Sequence, residues 1–120
     1  MKINLLIASG ALLLCSTAAQ AMDAESFYVK ALALKKKGMK AMFSSDLKPM
    51  INVFQNAADS VKAENEKARA SGKALFCAPK KYRLTADQFL TEFGNIPQER
   101  RRTQTVREAW REIVIRRFPC

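Results

Sequence analysis

Two cysteines, Cys77 and Cys120, are the residues of this sequence best placed to do chemistry, and that chemistry is the formation of a disulfide. The third cysteine, Cys15, falls within residues 1–21, which have the pattern of a cleaved signal peptide. In an exported protein, two remaining cysteines most often pair. We therefore expect a Cys77–Cys120 bridge that ties the C-terminus to the middle of the chain. Such a bridge stabilises the fold by roughly 4 kcal/mol at most. The alternative is two free, buried thiols.

The predicted signal peptide has a lysine near its start, an apolar run that ends at Cys15, and the small-x-small sequence Ala19-Gln20-Ala21 that signal peptidase cleaves. The apolar run is too short to span a bilayer, so no transmembrane segment is expected. A lipoprotein is the competing interpretation, because Cys15 lies late in the run. However, Leu14 is larger than the residue that precedes a lipobox cysteine. We expect the product, residues 22–120, to be a single soluble helical domain that is periplasmic or secreted, with the periplasm as the predicted location.

The residues that most catalytic and metal sites require are missing. No histidine occurs in the sequence, which removes the commonest general base and the commonest zinc ligand. Ser-His and Cys-His catalytic pairs therefore cannot be built. The spacing of Ser45 and Lys48 fits the S-x-x-K motif of some serine hydrolases, but the companion motifs are absent and a helix start explains the pair. We expect no enzymatic activity, no metal and no cofactor.

The chain is strongly basic, with 21 lysines and arginines, 11 acidic residues and a formal net charge of +10. Such a surface favours an anionic partner or surface. The basic clusters lie at residues 35–37, at Lys80, Lys81 and Arg83, at residues 100–102, and at Arg116 with Arg117. A solvated surface explains any one of them. Nucleic acid is not expected as a partner, because the aromatic residues belong to apolar stripes and the protein is exported.

Helices must position these residues, because the apolar residues recur at helical spacing. The sequence predicts an all-α, small four-helix domain stapled by one disulfide. The first helix runs from Asp23 to about Met42, with a break at Gly38. The second begins after Ser44, Ser45 or Asp46 and ends at Ser71-Gly72. Its apolar stripe consists of Met50, Val53, Phe54, Ala57 and Val61.

The third predicted helix has the clearest local signal, since Thr85 and Gln88 have the spacing of a capping box and Gly94 can end the helix. A polar, basic connection follows through residue 102. The fourth helix begins at Thr103 or Thr105 and closes at the terminal Phe118-Pro119-Cys120. Its spacing makes Trp110 a core residue.

The C-terminal half of the chain resembles the Rap/Tai family of type VI secretion immunity proteins. The resemblance rests on Phe76-Cys77-Ala78-Pro79, on the capped helix that begins Thr85-Ala86-Asp87-Gln88, on Pro97 and on the terminal Phe118-Pro119-Cys120. It covers about residues 50–120. The family's second helix usually carries a cysteine near the position of Met50, so a second disulfide is absent here.

The resemblance implies a small, disulfide-linked, all-helical periplasmic protein that binds and inhibits a cognate peptidoglycan amidase effector. It also allows a homodimer. The residues expected to bind the effector, through an acidic cleft on that enzyme, are Gln98, Glu99, Arg100, Arg101 and Arg102. They lie on the longest polar connection between two anchored helices. The alternative is that residues 100–102 merely open the fourth helix on a solvated face.

A second class of function stays open at the level of sequence. In this interpretation the chain is a non-enzymatic periplasmic protein, structural or envelope-binding, whose basic surface meets anionic lipid or polymer. An acidic protein partner favours the inhibitor. Salt-dependent binding to anionic vesicles favours the envelope-binding protein.

Overall fold

The computed structural model of this protein describes residues 22–120, so the predicted signal peptide lies outside the described residues. Within this range the chain is helical and contains no β-strand, which confirms the all-α prediction. The elements are α1 (Ala24–Lys37), a 3-10 helix (Gly38–Phe43), α2 (Leu47–Ala70), α3 (Ala86–Gly94), α4 (Gln98–Thr103) and α5 (Val106–Arg117). The four long helices correspond to the four predicted ones.

Helices α1 and α5 begin side by side, because the residues that cap them also pair with each other. Asp23 caps α1 and Thr105 caps α5, each accepting a hydrogen bond from the backbone N–H three residues further on, at 2.9 and 3.1 Å. The two caps form an isolated antiparallel bridge. In this bridge Ala24 N donates to the carbonyl oxygen of Gln104 at 2.8 Å. The start of the last helix is therefore fixed by the start of the first.

Two helix boundaries differ from the predictions. Helix α1 ends at Lys37 rather than near Met42, because Gly38 adopts a φ of 58°, and the chain continues as a 3-10 helix. The polar connection predicted through residue 102 is also partly helical, since α4 begins directly after Pro97. Proline suits a helix start because its φ is already close to the helical value and its missing N–H is not needed there. The capping box of Thr85 and Gln88 is confirmed.

An aromatic cluster forms the centre of the core, with rings from α1, α2, α3 and α5. The Phe54 ring lies edge-on to both Phe89 and Trp110, with centroids 4.9 Å apart in each pair. Phe27 and Phe93 complete the cluster. Trp110 is only 4% exposed, so its predicted place in the core is confirmed. Of the predicted stripe on α2, Met50, Ala57 and Val61 are buried and the other two residues are partly buried.

Residues 71–85 contain no regular secondary structure and are held by one buried side chain. The amide of Asn65, 5% exposed, donates to the carbonyl oxygen of Phe76 at 3.0 Å. The Asn65 amide oxygen accepts from the backbone N–H groups of Leu75 and Phe76 at 2.8 and 3.2 Å. A buried asparagine supplies both donors and an acceptor, so it satisfies backbone groups that no helix or sheet would pair.

The predicted disulfide is confirmed: Cys77 and Cys120 are bonded, with Cα atoms 4.8 Å apart and 43 positions apart in the sequence. Beside it, Cys77 N donates to the carbonyl oxygen of Phe118 at 2.8 Å. The Phe118 ring packs on Tyr82, with centroids 4.6 Å apart. The end of α5 is thereby attached to the irregular segment that follows α2.

No helix within residues 22–120 is long and apolar enough to cross a membrane.

Replacing either bridge cysteine by serine should lower the free energy of unfolding by about 2–4 kcal/mol, because the unfolded chain regains the freedom that the cross-link removes. Chemical denaturation of the Cys77→Ser and Cys120→Ser variants measures this loss. Adding a reductant should destabilise the wild type by a similar amount and leave the double variant unchanged. Alkylation of both cysteines in the native, unreduced protein would rule out the bridge.

Candidate functional site

The residues predicted to bind a partner divide into one buried arginine and a set of exposed neighbours. Arg101 is 8% exposed and points into the protein. Its Nε donates to a carboxylate oxygen of Glu25 on α1 at 2.6 Å. Its NH1 group donates to the backbone carbonyls of Phe93 and Gly94, at the end of α3, and of Ile96, two residues beyond it. Arg101 therefore joins α4 to α1 and satisfies the C-terminal carbonyls of α3.

The ring of Tyr28 packs against the buried guanidinium of Arg101. The Arg101 guanidinium carbon lies 4.3 Å from the centroid of the Tyr28 ring, which is a cation–π arrangement. The hydroxyl end of Tyr28 reaches Gly94, where a Cβ atom would lie only 2.8 Å from the Tyr28 oxygen. A side chain at position 94 would therefore force the Tyr28 hydroxyl to shift.

The other four predicted residues, Gln98, Glu99, Arg100 and Arg102, are exposed. We call them the α4 surface. Gln98 donates to Glu25 at 3.3 Å, and Arg100 forms an ion pair with Glu112 of α5 at 2.5 Å. Glu99 and Arg102 form no ion pair within residues 22–120. A partner that bound this surface would therefore meet Arg102 and Glu99 without first breaking an internal contact.

Arginines and lysines serve different purposes in this structure. Six of the nine arginines pair with carboxylates on another helix, whereas Lys35 is the only lysine of residues 22–120 that does so. Glu64 on α2 accepts from Arg107 and Arg111 at 2.5 and 2.9 Å. Glu92 on α3 accepts from Arg116 and Arg117 at 2.8 and 2.9 Å. The arginines thus fasten α5 to its neighbours, and ten lysines remain available to a partner.

Two of these carboxylates are held in their ionised form. The hydrogen bond from Arg116 lowers the pKa of Glu92, with Arg117 adding to the effect and partial burial opposing it. The hydrogen bond from Arg111 likewise lowers the pKa of Glu64. The predicted basic cluster at Arg116 and Arg117 is therefore explained by internal pairing.

A mixed cleft of about 520 Å³ lies between α2 and the irregular segment. Its floor contains Trp110 and Phe76, and Lys62, Arg69 and Lys80 line it together with Asp59 and Glu66. Tyr82 also lines the cleft, and burial raises the pKa of its phenol. Because both cations and carboxylates line this cleft, its charges do not select a ligand of one sign.

A second opening, of about 540 Å³, is apolar and exposes one side of the aromatic cluster. We call it the apolar groove; it is lined by Phe27, Phe54 and Phe89 together with apolar residues of α1, α2 and α3. Gly38 and Ala41 of the 3-10 helix line it as well. Beyond them, Met39, Met42 and Phe43 project into solvent, with 83, 72 and 92% of their surfaces exposed. We call these three residues the apolar tip.

Sequence reasoning missed the apolar tip, since it assigned Met39 and Met42 to the first helix, beyond the break predicted at Gly38. The signal was nevertheless present, because the apolar residues at positions 39, 42 and 43 follow the predicted break at Gly38 and lie among lysines. It also missed Asn65, whose burial follows only from the path of residues 71–85. A lone asparagine in a polar helical stretch carries no signal of such a role.

Comparisons with known proteins add no family assignment: no family model matches this chain, and neither a curated protein nor a solved structure does.

Replacing Arg101 by alanine should cost about 3–5 kcal/mol of unfolding free energy, because Glu25 would be left partly buried without its partner. Arg101→Lys should recover only part of this loss, since an ammonium cannot reach the three carbonyls and the carboxylate together. The matched control is Arg102→Ala, which removes an exposed neighbour and should change the stability by less than about 0.5 kcal/mol. Chemical denaturation compares the three variants, and equal losses at positions 101 and 102 would contradict the internal role of Arg101.

The stabilising effect of Glu92 should depend on pH. Its pKa is lowered in the folded protein, so its contribution is fully present above the ordinary value of 4.5 and is lost as the pH falls through the lower, folded pKa. The difference in unfolding free energy between wild type and Glu92→Gln should therefore be largest above pH 4.5 and shrink below it. Denaturation measured across this range tests the expectation, with Glu99→Gln, an exposed carboxylate, as control. A difference that stays constant with pH would refute it.

Proposed function

We propose that this protein is a periplasmic immunity protein that binds and inhibits a cognate type VI secretion peptidoglycan amidase. The observation that carries the proposal is the Cys77–Cys120 bridge. It joins the two cysteine motifs on which the resemblance to the Rap/Tai family rests, and the capped helix α3 lies between them in the chain. The disulfide also supports an oxidising, extracytoplasmic compartment.

A stapled helical domain suits an inhibitor, because a rigid binding surface loses little conformational entropy when the complex forms. The α4 surface has this rigidity. Arg101 anchors the middle of α4 to α1 and α3, and the Arg100–Glu112 ion pair holds it against α5. Side chains presented from such a short, fixed helix can enter a cleft without reordering of the backbone.

The charges of the α4 surface indicate what the partner offers. The guanidinium of Arg102 forms no ion pair with any described residue, and guanidinium groups form bidentate bonds with carboxylates. We therefore expect a cleft on the amidase that contains acidic residues facing Arg102, and a basic or hydrogen-bonding group facing Glu99. Arg101 contributes to binding by positioning α4 and makes no direct contact with the amidase.

The proposal is tested by adding the purified exported protein to a panel of purified type VI amidase effectors and measuring peptidoglycan cleavage. Inhibition of one effector is expected. Arg102→Ala should weaken binding to that effector at least about fivefold, because an arginine at the centre of an interface contributes about 1 kcal/mol or more. Calorimetry measures the dissociation constant.

Arg83→Ala is the matched control, since Arg83 is likewise exposed and without an ion pair in the described part of the chain. Equal weakening by both variants would move the binding site away from the α4 surface. Failure to inhibit any amidase in the panel would overturn the immunity function itself.

An envelope-binding protein is the second candidate function, and the lysines favour it. Ten lysines of residues 22–120 carry charges that no internal carboxylate neutralises. Such a surface is attracted to anionic lipid or polymer at low and moderate ionic strength.

A further inference from the structure

The apolar tip is the most exposed group of large apolar side chains in residues 22–120. Phe43, Met39 and Met42 are 92, 83 and 72% exposed, against 53% for Val29 and 45% for Ile51. Gly38 turns the chain away from the axis of α1, with a φ of 58°, so the 3-10 helix carries these side chains outward. Three adjacent apolar side chains in water are unfavourable unless another surface covers them.

The tip is surrounded by positive charge. Residues 35–48 contain five lysines and one acidic residue, Asp46. Lys35 is held by Asp87 of α3, whereas Lys36, Lys37, Lys40 and Lys48 are exposed and form no ion pair within residues 22–120. The surface that covers the tip must therefore accept apolar groups at its centre and ammonium groups around them.

These charges argue against a protein surface as the cover. Two copies of the chain related by a two-fold axis would bring the same lysines together, and like charges facing each other are repelled. The cores of protein–protein interfaces are also depleted in lysine. An anionic lipid bilayer meets both requirements, because its phosphates attract ammonium groups while the region beneath them accepts apolar side chains.

We infer that the apolar tip is a docking site for an anionic lipid bilayer. Phe43 and the two methionines enter the boundary between headgroups and acyl chains, and Lys36, Lys37 and Lys40 bind lipid phosphates. Lysine suits this position since its aliphatic stem can lie along the apolar layer while its ammonium stays among the headgroups. The flexible methionine side chains adapt to a surface without fixed shape.

This site is separate from the α4 surface. Arg101 of α4 contacts Glu25 in the first turn of α1, whereas the tip follows the last residue of α1. A helix of this length places its two ends about 20 Å apart. The inference thus goes beyond the immunity function and does not depend on it, while it gives the envelope-binding candidate a defined site and ligand.

The test measures co-sedimentation of the full exported protein with vesicles made of equal parts phosphatidylglycerol and phosphatidylcholine, and with vesicles of phosphatidylcholine alone. Binding is expected to the first and not the second, and to weaken as salt is added. Phe43→Ser should weaken binding about tenfold or more, and Lys40→Gln about fivefold. A Phe43→Trp variant should show a blue-shifted emission and quenching by brominated lipid when vesicles are added.

Matched controls lie elsewhere on the chain. Val29→Ser removes another exposed apolar residue. Lys67→Gln removes a lysine near the end of α2. Because α2 is about 36 Å long, Lys67 lies away from the tip. Both should bind vesicles as the wild type does. Wild-type Trp110 is buried and provides the fluorescence baseline.

Several results would overturn the inference. Absence of binding to anionic vesicles, or equal binding to both vesicle types, excludes an anionic bilayer as the ligand. If Lys40→Gln and Lys67→Gln weaken vesicle binding equally, the whole basic surface binds the vesicles. The envelope-binding function would then stand, but the tip would not be its site. Dimers that Phe43→Ser dissociates, without vesicle binding, would show that a second copy covers the tip. Inhibition of an amidase is measured separately and is expected to be unchanged by Phe43→Ser.

Discussion

The Cys77–Cys120 bond is the constraint on which much of the rest of this structure depends. Residues 71–85 leave α2 without forming a helix or a strand, and the bond attaches them to the end of α5. Asn65 then pairs the backbone groups beside the bridge that would otherwise lie unsatisfied in the interior. Because this segment is fixed, α3 starts at a defined place and packs its aromatic residues against α1 and α2. A core of this size benefits from such a cross-link.

The shortage of carboxylates explains how charge is distributed over the surface. Five acidic side chains form ion pairs between helices, and all but one of their partners are arginines. Arginine suits this task because its planar group can bond two acceptors at once, as Arg101 does most fully. The lysines of residues 22–120 other than Lys35 form no ion pair there, and they give the protein its positive field. The arginines thus mainly stabilise the fold, and the lysines mainly set the charge of the surface.

The proposed activities use opposite ends of α1. At its start, the buried Arg101 keeps α4 rigid, so that exposed neighbours such as Arg102 can meet a folded partner. At its end, Gly38 releases the chain into a short helix whose apolar residues have no partner within the described part of the chain. An inhibitor that also docks on an anionic bilayer would stay where an effector enters the periplasm. In these proposals the α4 surface would select a protein partner and the apolar tip would select a location.

The sequence alone determined the helical class, the cysteine pairing, the capping box of Thr85 and Gln88, and the burial of Trp110. The capping box depends on local spacing, because it needs two residues three positions apart. The disulfide depends on how many cysteines are available, because two cysteines can pair in only one way. It predicted the positions of the candidate binding residues but not their roles, since adjacent arginines look alike in sequence. Only the tertiary structure decided that Arg101 faces inward and Arg102 outward, because the carboxylate of Glu25 lies 76 positions away in the sequence. The nearby carbonyls of Phe93 and Gly94 meet Arg101 only because the chain turns back after α3. The same holds for Asn65 and the apolar tip. Whether a side chain is covered depends on which other elements arrive beside it, and that is settled by packing.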